Sequence, residues 1–303
     1  MDRRMLAVPL LALIFGSNFM FVKIAAEEVS PFQMVTLRLV IAAVLVAVIV
    51  RWRGTTIQWS APLVARTSFV AVTGTIVPFV LIAWASSRIE SGLASVLNSS
   101  MPLFTALFAV IAADESVTPQ RAAGLLIGFA GVAAMTGIAA LDVSGEALAG
   151  QLAVVTAAAA FSVSAVYARR LLRAHDGIEL AGGQLAIAAV LSSVLFAGLR
   201  GAPDYTLTAD TWVAIAFMGA VSGGLGFATY IWLIGQIGSV RASTITYLMP
   251  VVALGLGWLV LGESIAPQTI AGMALIIAGV AIVMRAPAIR APARPVRAEA
   301  TGC

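Results

Sequence analysis

The sequence predicts an all-α membrane protein of ten transmembrane helices, built as two inverted five-helix repeats with both termini cytoplasmic. Three observations lead there. Hydrophobic residues make up 61% of the 303 and charged residues only 11%, with a mean hydropathy of +1.02, whereas a water-exposed domain carries more than twice that charge. Apolar runs close to the 20 or so residues that cross a bilayer as a helix recur along the whole chain. The chain also repeats itself: Met101-Pro102, Glu115-Ser116 and Pro119-Gln120 return as Met249-Pro250, Glu263-Ser264 and Pro267-Gln268, always 148 residues on. Phe79 and Trp84 return as Phe227 and Trp232 at that same offset. Proline, glutamate and tryptophan matches in one register are hard to obtain by chance in an Ala- and Leu-rich chain.

The ten runs fall at about 5 to 23, 32 to 50, 63 to 83, 92 to 112, 120 to 140, 148 to 168, 179 to 199, 211 to 234, 241 to 261 and 268 to 285. The first follows Arg3 and Arg4 as a signal peptide would. No small-residue cleavage site follows promptly at Gly16-Ser-Asn-Phe19, and the run has a repeat partner around Phe161, so it is read as a retained span. Placing the N-terminus in the cytoplasm puts fourteen of the 18 Lys and Arg residues inside, with Lys23, Arg88 and Arg200 outside and Arg38 within a helix. Five spans per half is an odd number, so residues 1–140 and 141–285 enter the membrane from opposite sides. Residues 286–303, with arginines between prolines, read as a disordered basic tail near anionic lipid. Inverted halves of this kind are the signature of many alternating-access carriers.

Composition also excludes chemistry. The single cysteine, Cys303, rules out an internal disulfide, and the single histidine, His175, rules out a His-rich metal site. The scattered arginines form no nucleic-acid patch. The sequence carries no HExxH, CxxC or P-loop pattern, and its one histidine sits in the charged loop 169–176, so no enzyme activity, no cofactor and no ATP coupling are expected.

Phe15-Gly-Ser-Asn-Phe19 with Lys23, Pro31, Leu37-Arg38-Leu39 and the two Met-Pro helices ending at Glu115 and Glu263 resemble the EamA-type branch of the drug/metabolite transporter superfamily. Within it the chain is most similar to YddG-type aromatic amino-acid exporters. The resemblance spans residues 5 to 285. It implies a ten-helix carrier of a bacterial-type inner membrane, with a central cavity lined by helices 1, 3, 4, 6, 8 and 9, working by export. The second repeat departs from the first, with Ser162-Val163-Ser164 where the first helix has Gly-Ser-Asn, so the two cavity walls are not chemically equal.

Charge inside the spans narrows the cargo, because an ionised group at bilayer depth costs about 2.5 to 3.5 kcal/mol by insertion scales. No Asp or Glu lies mid-helix, which disfavours polyamines, cationic drugs and a carboxylate proton relay. A phosphorylated cargo needs several converging cations, and only Arg38, with Lys23 near a helix end, is available. A neutral or zwitterionic solute remains. Arg38 and Lys23 are candidate carboxylate anchors. Arg38 could equally snorkel or pair with Glu27 or Glu28, and Lys23 could anchor at the interface.

Prolines 78, 102 and 250 are expected to kink their helices, freeing the carbonyls of Gly74, Asn98 and Thr246 and serving as gating positions. Asn98, Ser99, Thr244 and Tyr247 lie beside those kinks, and Asn18 and Ser164 lie on the cavity helices. Phe15, Phe79, Phe161, Phe227 and Tyr230 supply aromatic faces for a bulky apolar side chain, at about 0.5 to 1.5 kcal/mol per ring pair; packing against lipid or a neighbouring helix is the alternative for each. The expected function is export of neutral amino acids, aromatic or bulky apolar ones, with a broad metabolite or drug exporter as the alternative. The expected partners are a small-molecule substrate and the lipid bilayer, with no nucleic acid, and the chain is read as a monomer.

Overall fold

The computed structural model describes residues 3–54, 59–136, 145–200, 205–261 and 267–286. These residues are helical almost throughout, and they contain no strand. Seven helical rods among them are long and apolar enough to cross a membrane. Glu263-Ser264 and the tail beyond Ala286 lie outside the described residues.

Helices α1 (Arg3–Ala26) and α2 (Pro31–Arg53) open the chain. The turn between them is fixed by Ser30, whose hydroxyl accepts from the Gln33 N–H, with Pro31 in the first helical turn. At 23 residues, α2 is about 34 Å long at 1.5 Å per residue, enough to span. The next rod is composite: α3 (Ala61–Ala71), a π-helical segment Val72–Ile76 and α4 (Val77–Ala85). A second composite rod breaks at Ser99-Ser100 between α5 (Ser91–Asn98) and α6 (Met101–Ile111). Then come α7 (Pro119–Thr136), α8 (Gly145–Leu171) and α9 (Gly177–Arg200). The last group is α10 (Ala209–Ala216), a longer π segment Phe217–Gly226, α11 (Phe227–Ile237), α12 (Ser239–Ser243), α13 (Ile245–Leu261) and α14 (Pro267–Arg285).

The packing pairs elements crosswise. Helix α1 lies along α13, and α8 lies along α4 and α6. Helix α2 packs on α9 and on the Phe217–Gly226 segment, while α9 packs on α3. Helix α7 runs against α14 at backbone contact distance, because a Cβ on Gly279 would come within 2.6 Å of the Gly124 carbonyl oxygen and within 2.7 Å of the Gly128 Cα. Away from these seams the rods stay apolar: Val44 is 61% exposed, Leu126 62% and Val194 66%, as a hydrocarbon-facing surface requires.

Two of the three expected kinks take another form. Pro102 sits in the first turn of α6, after a break in the rod, where its missing N–H costs no hydrogen bond. Pro78 likewise starts α4, and the irregularity is taken up before it by the π segment Val72–Ile76. Pro250 does lie inside α13. The carbonyl four residues before it, Thr246, accepts the Ser99 hydroxyl at 2.9 Å, so the helix break of one half satisfies the proline of the other. Both π segments occupy the same place under the 148-residue offset, since Pro78 falls on Gly226.

Candidate functional site

Where the rods converge, a cavity of about 100 Å³ is lined from nearly every direction. Helix α1 gives Phe15, Asn18, Phe19 and Val22; α4 gives Phe79, Ile82 and Ala83; α8 gives Phe161; α11 gives Phe227 and Tyr230. The two helix breaks complete it with Asn98 and Met101 on one side and Ile245, Thr246 and Met249 on the other. Helix α2 adds Arg38 and the second π segment adds Ser222. Phe19, Val22 and Ile82 also line a second cavity of about 270 Å³ containing Lys23, Arg88 and Glu90, so the central space continues toward that end of the bundle.

The walls are aromatic and ordered by contact. The Phe79 and Phe161 rings meet edge to face at 5.7 Å between centroids, and Phe15 meets Tyr230 similarly at 6.2 Å. The Arg38 guanidinium lies 4.1 Å from the centre of the Phe79 ring. One of its terminal nitrogens donates to Asn18 Oδ1 at 3.4 Å. It is 4% exposed and makes no ion pair among the described residues, so neither snorkelling nor a bond to Glu27 or Glu28 is seen.

Three residues lining this cavity carry a buried polar atom with no hydrogen-bond partner among the described residues: Arg38 Nε, Asn98 Oδ1 and the Tyr230 hydroxyl. An unsatisfied buried polar group costs about 1 to 3 kcal/mol, so a donor, an acceptor and a hydroxyl left together in one space need an explanation. Unpartnered atoms also occur at Thr67, Ser95, Arg121, Gln184 and Arg241, but none of those lines the cavity.

The remaining residues singled out in the sequence are engaged elsewhere. Ser99 bonds to the Ser95 and Thr246 carbonyls, Thr244 to the Arg241 carbonyl and Ser164 to the Val70 carbonyl beside the first π segment. Tyr247 is fully buried; its hydroxyl donates to the Leu125 carbonyl at 2.9 Å and its ring covers Gly128. Lys23 lies in the adjoining vestibule, not in the central cavity. Met101 and Met249, absent from the residues singled out in the sequence, also line the cavity; they precede the two repeated prolines, and that repetition was the signal available.

At the opposite end of the bundle charged side chains converge. Glu115 Oε1 accepts the Ser239 N–H at 2.7 Å, the Ser239 hydroxyl at 2.6 Å and the Val240 N–H at 3.4 Å, at the start of α12. Arg169 at 3.4 Å and Arg121 at 3.8 Å complete its surroundings. Neighbouring Asp114 pairs with Arg169, Arg173 and Arg170 at 2.9, 2.7 and 3.5 Å. Gly238 turns the chain into α12 with φ of +91°, and a Cβ there would stand 2.7 Å from the Glu115 carboxylate, so glycine is required twice over.

Known proteins resemble this chain over most of its length. The EamA-like transporter family matches it twice, at residues 3–137 and 148–285. An uncharacterized transporter of Bacillus subtilis (strain 168), YoaV, is 25% identical over 276 residues, which are 91% of this chain and 94% of the relative. The aromatic amino acid exporter YddG of Ancylobacter novellus is 32% identical over 170 residues, 54% of this chain and 55% of that one. A probable terminal-alkyne amino-acid exporter of Streptantibioticus cattleyicolor is 26% identical over 204 residues, 65% of each chain. One solved structure shares the fold with a TM-score of 0.73 at 21% identity, covering 92% of this chain and 95% of the other.

Proposed function

Because the chain belongs to the EamA-like transporter family and is therefore a membrane transporter, not an enzyme, we propose that it exports neutral amino acids with aromatic or bulky apolar side chains, by alternating access without ATP. The observation that carries this reading is the trio of unpartnered polar atoms in an aromatic cavity. An α-amino acid offers a carboxylate and an ammonium a few ångströms apart. The carboxylate suits Arg38, and the ammonium suits Asn98 Oδ1. The Tyr230 hydroxyl can donate to the same carboxylate, and the side chain then lies among Phe15, Phe79, Phe161 and Phe227. Two relatives at low identity are described as exporters of amino acids, one of them of aromatic ones.

We place the chain in a bacterial-type inner membrane as ten spans in two inverted repeats, with the arginine-rich end cytoplasmic. Side-chain ties between loop ends support that alternation. Glu28 after α1 accepts from the Thr208 N–H before α10, and Arg88 after α4 reaches Glu146 at the start of α8. Glu115 after α6 meets Ser239, and Arg241 meets the Ala286 carbonyl after α14. Ten alternating crossings put each of these pairs on one side. In that frame the vestibule of Lys23, Arg88 and Glu90 opens outward and the Glu115 cluster closes the cytoplasmic end, an outward-facing state. The π segments, the Ser99-Ser100 break and Pro250 are the positions where the rods would bend in the exchange.

The runner-up is a broad metabolite or drug exporter, favoured by Met101 and Met249, whose flexible thioethers accommodate varied shapes. Counterflow of labelled phenylalanine into proteoliposomes, with threonine as a smaller comparator, separates the two. Uptake driven by unlabelled amino acid without a pH gradient, depressed more for phenylalanine than for threonine by Phe79→Ala and Phe161→Ala, supports the amino-acid carrier. Transport of unrelated amphiphiles with no amino-acid flux replaces it with the broad exporter.

A further inference from the structure

A third cavity, about 640 Å³, lies at the basic end of the bundle, between the end of α2 and the start of α9. Its walls are Ala47, Val50, Val64, Ala186 and Ile187, its floor is the backbone at Gly182 and Gly183, and the Trp59 indole flanks it. A Cβ at Gly183 would collide with that indole, so glycine there lets Trp59 lie against α9 and form the cavity's flank. The cavity is open along its side, where Ala47, Val64 and Ala186 are exposed. Trp52, 85% exposed, and Trp59, 43% exposed, stand at this level, as tryptophans do at a membrane interface.

Two charged residues line the same cavity, Arg51 and Glu179. They are not paired with each other, and among the described residues neither forms a salt bridge. Opposite charges sharing one rim without meeting leave room for a solute that carries both signs. The apolar groove below them leaves room for a chain.

We propose that this cavity binds one zwitterionic glycerophospholipid of the phosphatidylethanolamine class, its phosphate at Arg51, its primary ammonium at Glu179 and an acyl chain in the groove floored by Gly182 and Gly183. A primary ammonium brings three N–H donors to the carboxylate, which a choline headgroup lacks. A glycerol headgroup supplies the phosphate charge but no cation for Glu179. The site is independent of the transport cavity and of the identity of its cargo.

The test is native mass spectrometry of the full-length protein in detergent, titrated with dioleoyl phosphatidylethanolamine, phosphatidylcholine and phosphatidylglycerol, and with glycerophosphoethanolamine as the headgroup without chains. The expected result is one tightly retained phosphatidylethanolamine, bound about tenfold better than the other two lipids, the worth of one charge-assisted hydrogen bond. Glu179→Gln, on the rim, should abolish that preference and raise phosphatidylglycerol relative to phosphatidylethanolamine. Ala186→Phe, which fills the groove, should weaken all three lipids. Equal binding of the three lipids by the unaltered protein overturns the proposal, as does a phosphatidylethanolamine preference that survives Glu179→Gln. Binding of the chain-free headgroup as tightly as the lipid also overturns it. Should Ala186→Phe fail to fold by circular dichroism, the headgroup comparison with Glu179→Gln decides alone.

Discussion

The Glu115 end of the bundle and its central cavity are built on opposite principles. At the start of α12 two acids are met: Glu115 is held by three donors, and Asp114 by three arginines. Around the central cavity Arg38, Asn98 and Tyr230 each keep a buried polar atom without a partner among the described residues. Satisfied charge ties these elements together, whereas buried polar groups without partners in an aromatic space are costly unless something satisfies them.

The largest way to break the contrast is Glu115→Gln. Losing the charge that Ser239, Val240 and Arg169 converge on should weaken closure at that end by about 2 kcal/mol, the worth of hydrogen bonds to a charged group. Spin labels on the ends of α6 and α12 should then show a separated population by electron–electron distance measurement, and an unchanged distribution would refute the gate. Next is Arg38→Gln, which should lower phenylalanine counterflow roughly tenfold while leaving the label distances as in the unaltered protein. Ser99→Ala tests the seam between the two regions. It leaves the Thr246 carbonyl without its hydroxyl, and should cost about 1 kcal/mol in thermal unfolding.

The smallest effect is expected at the vestibule end. The Thr208 N–H, followed by the Thr208 and Thr211 hydroxyls, holds the Glu28 carboxyl below the usual carboxylate range. A depressed folded pKa means that the unfolded chain binds the proton first. Its stabilisation is therefore present at neutral pH and lost as pH falls through the carboxylate range. Glu28→Gln should slightly flatten the acid side of a plot of Tm against pH. The same slope in the variant and the parent would remove Glu28 from the account of that end.

Much of the cavity's lining was legible because the chain is written twice. The offset that pairs Phe79 with Phe227 picked out residues that share one cavity, and Phe15 and Phe161 followed from aligning the first helix with the sixth. The residues that bond backbone instead of facing the cavity, Ser99, Ser164, Thr244 and Tyr247, could not be told apart by type. A hydroxyl near a proline looks the same whether it faces a solute or a neighbour's carbonyl, and only the position of the other half decides. The π segments left a trace only in the glycines at 74, 219, 223, 224 and 226, which also read as packing positions. Arg38 was ambiguous because its long side chain can reach either the interface or the cavity, and the Phe79 face draws it inward.

The most direct measurement compares three solutes as competitors of labelled phenylalanine counterflow: phenylalanine itself, phenethylamine without the carboxylate, and 3-phenylpropionate without the ammonium. If Arg38 and Asn98 read both ends of an amino acid, only phenylalanine competes well, and its advantage over 3-phenylpropionate shrinks in Asn98→Ala. Competition by either analogue as strong as by phenylalanine would mean that the cavity recognises a ring alone, and would contradict the role given to its unpartnered polar atoms.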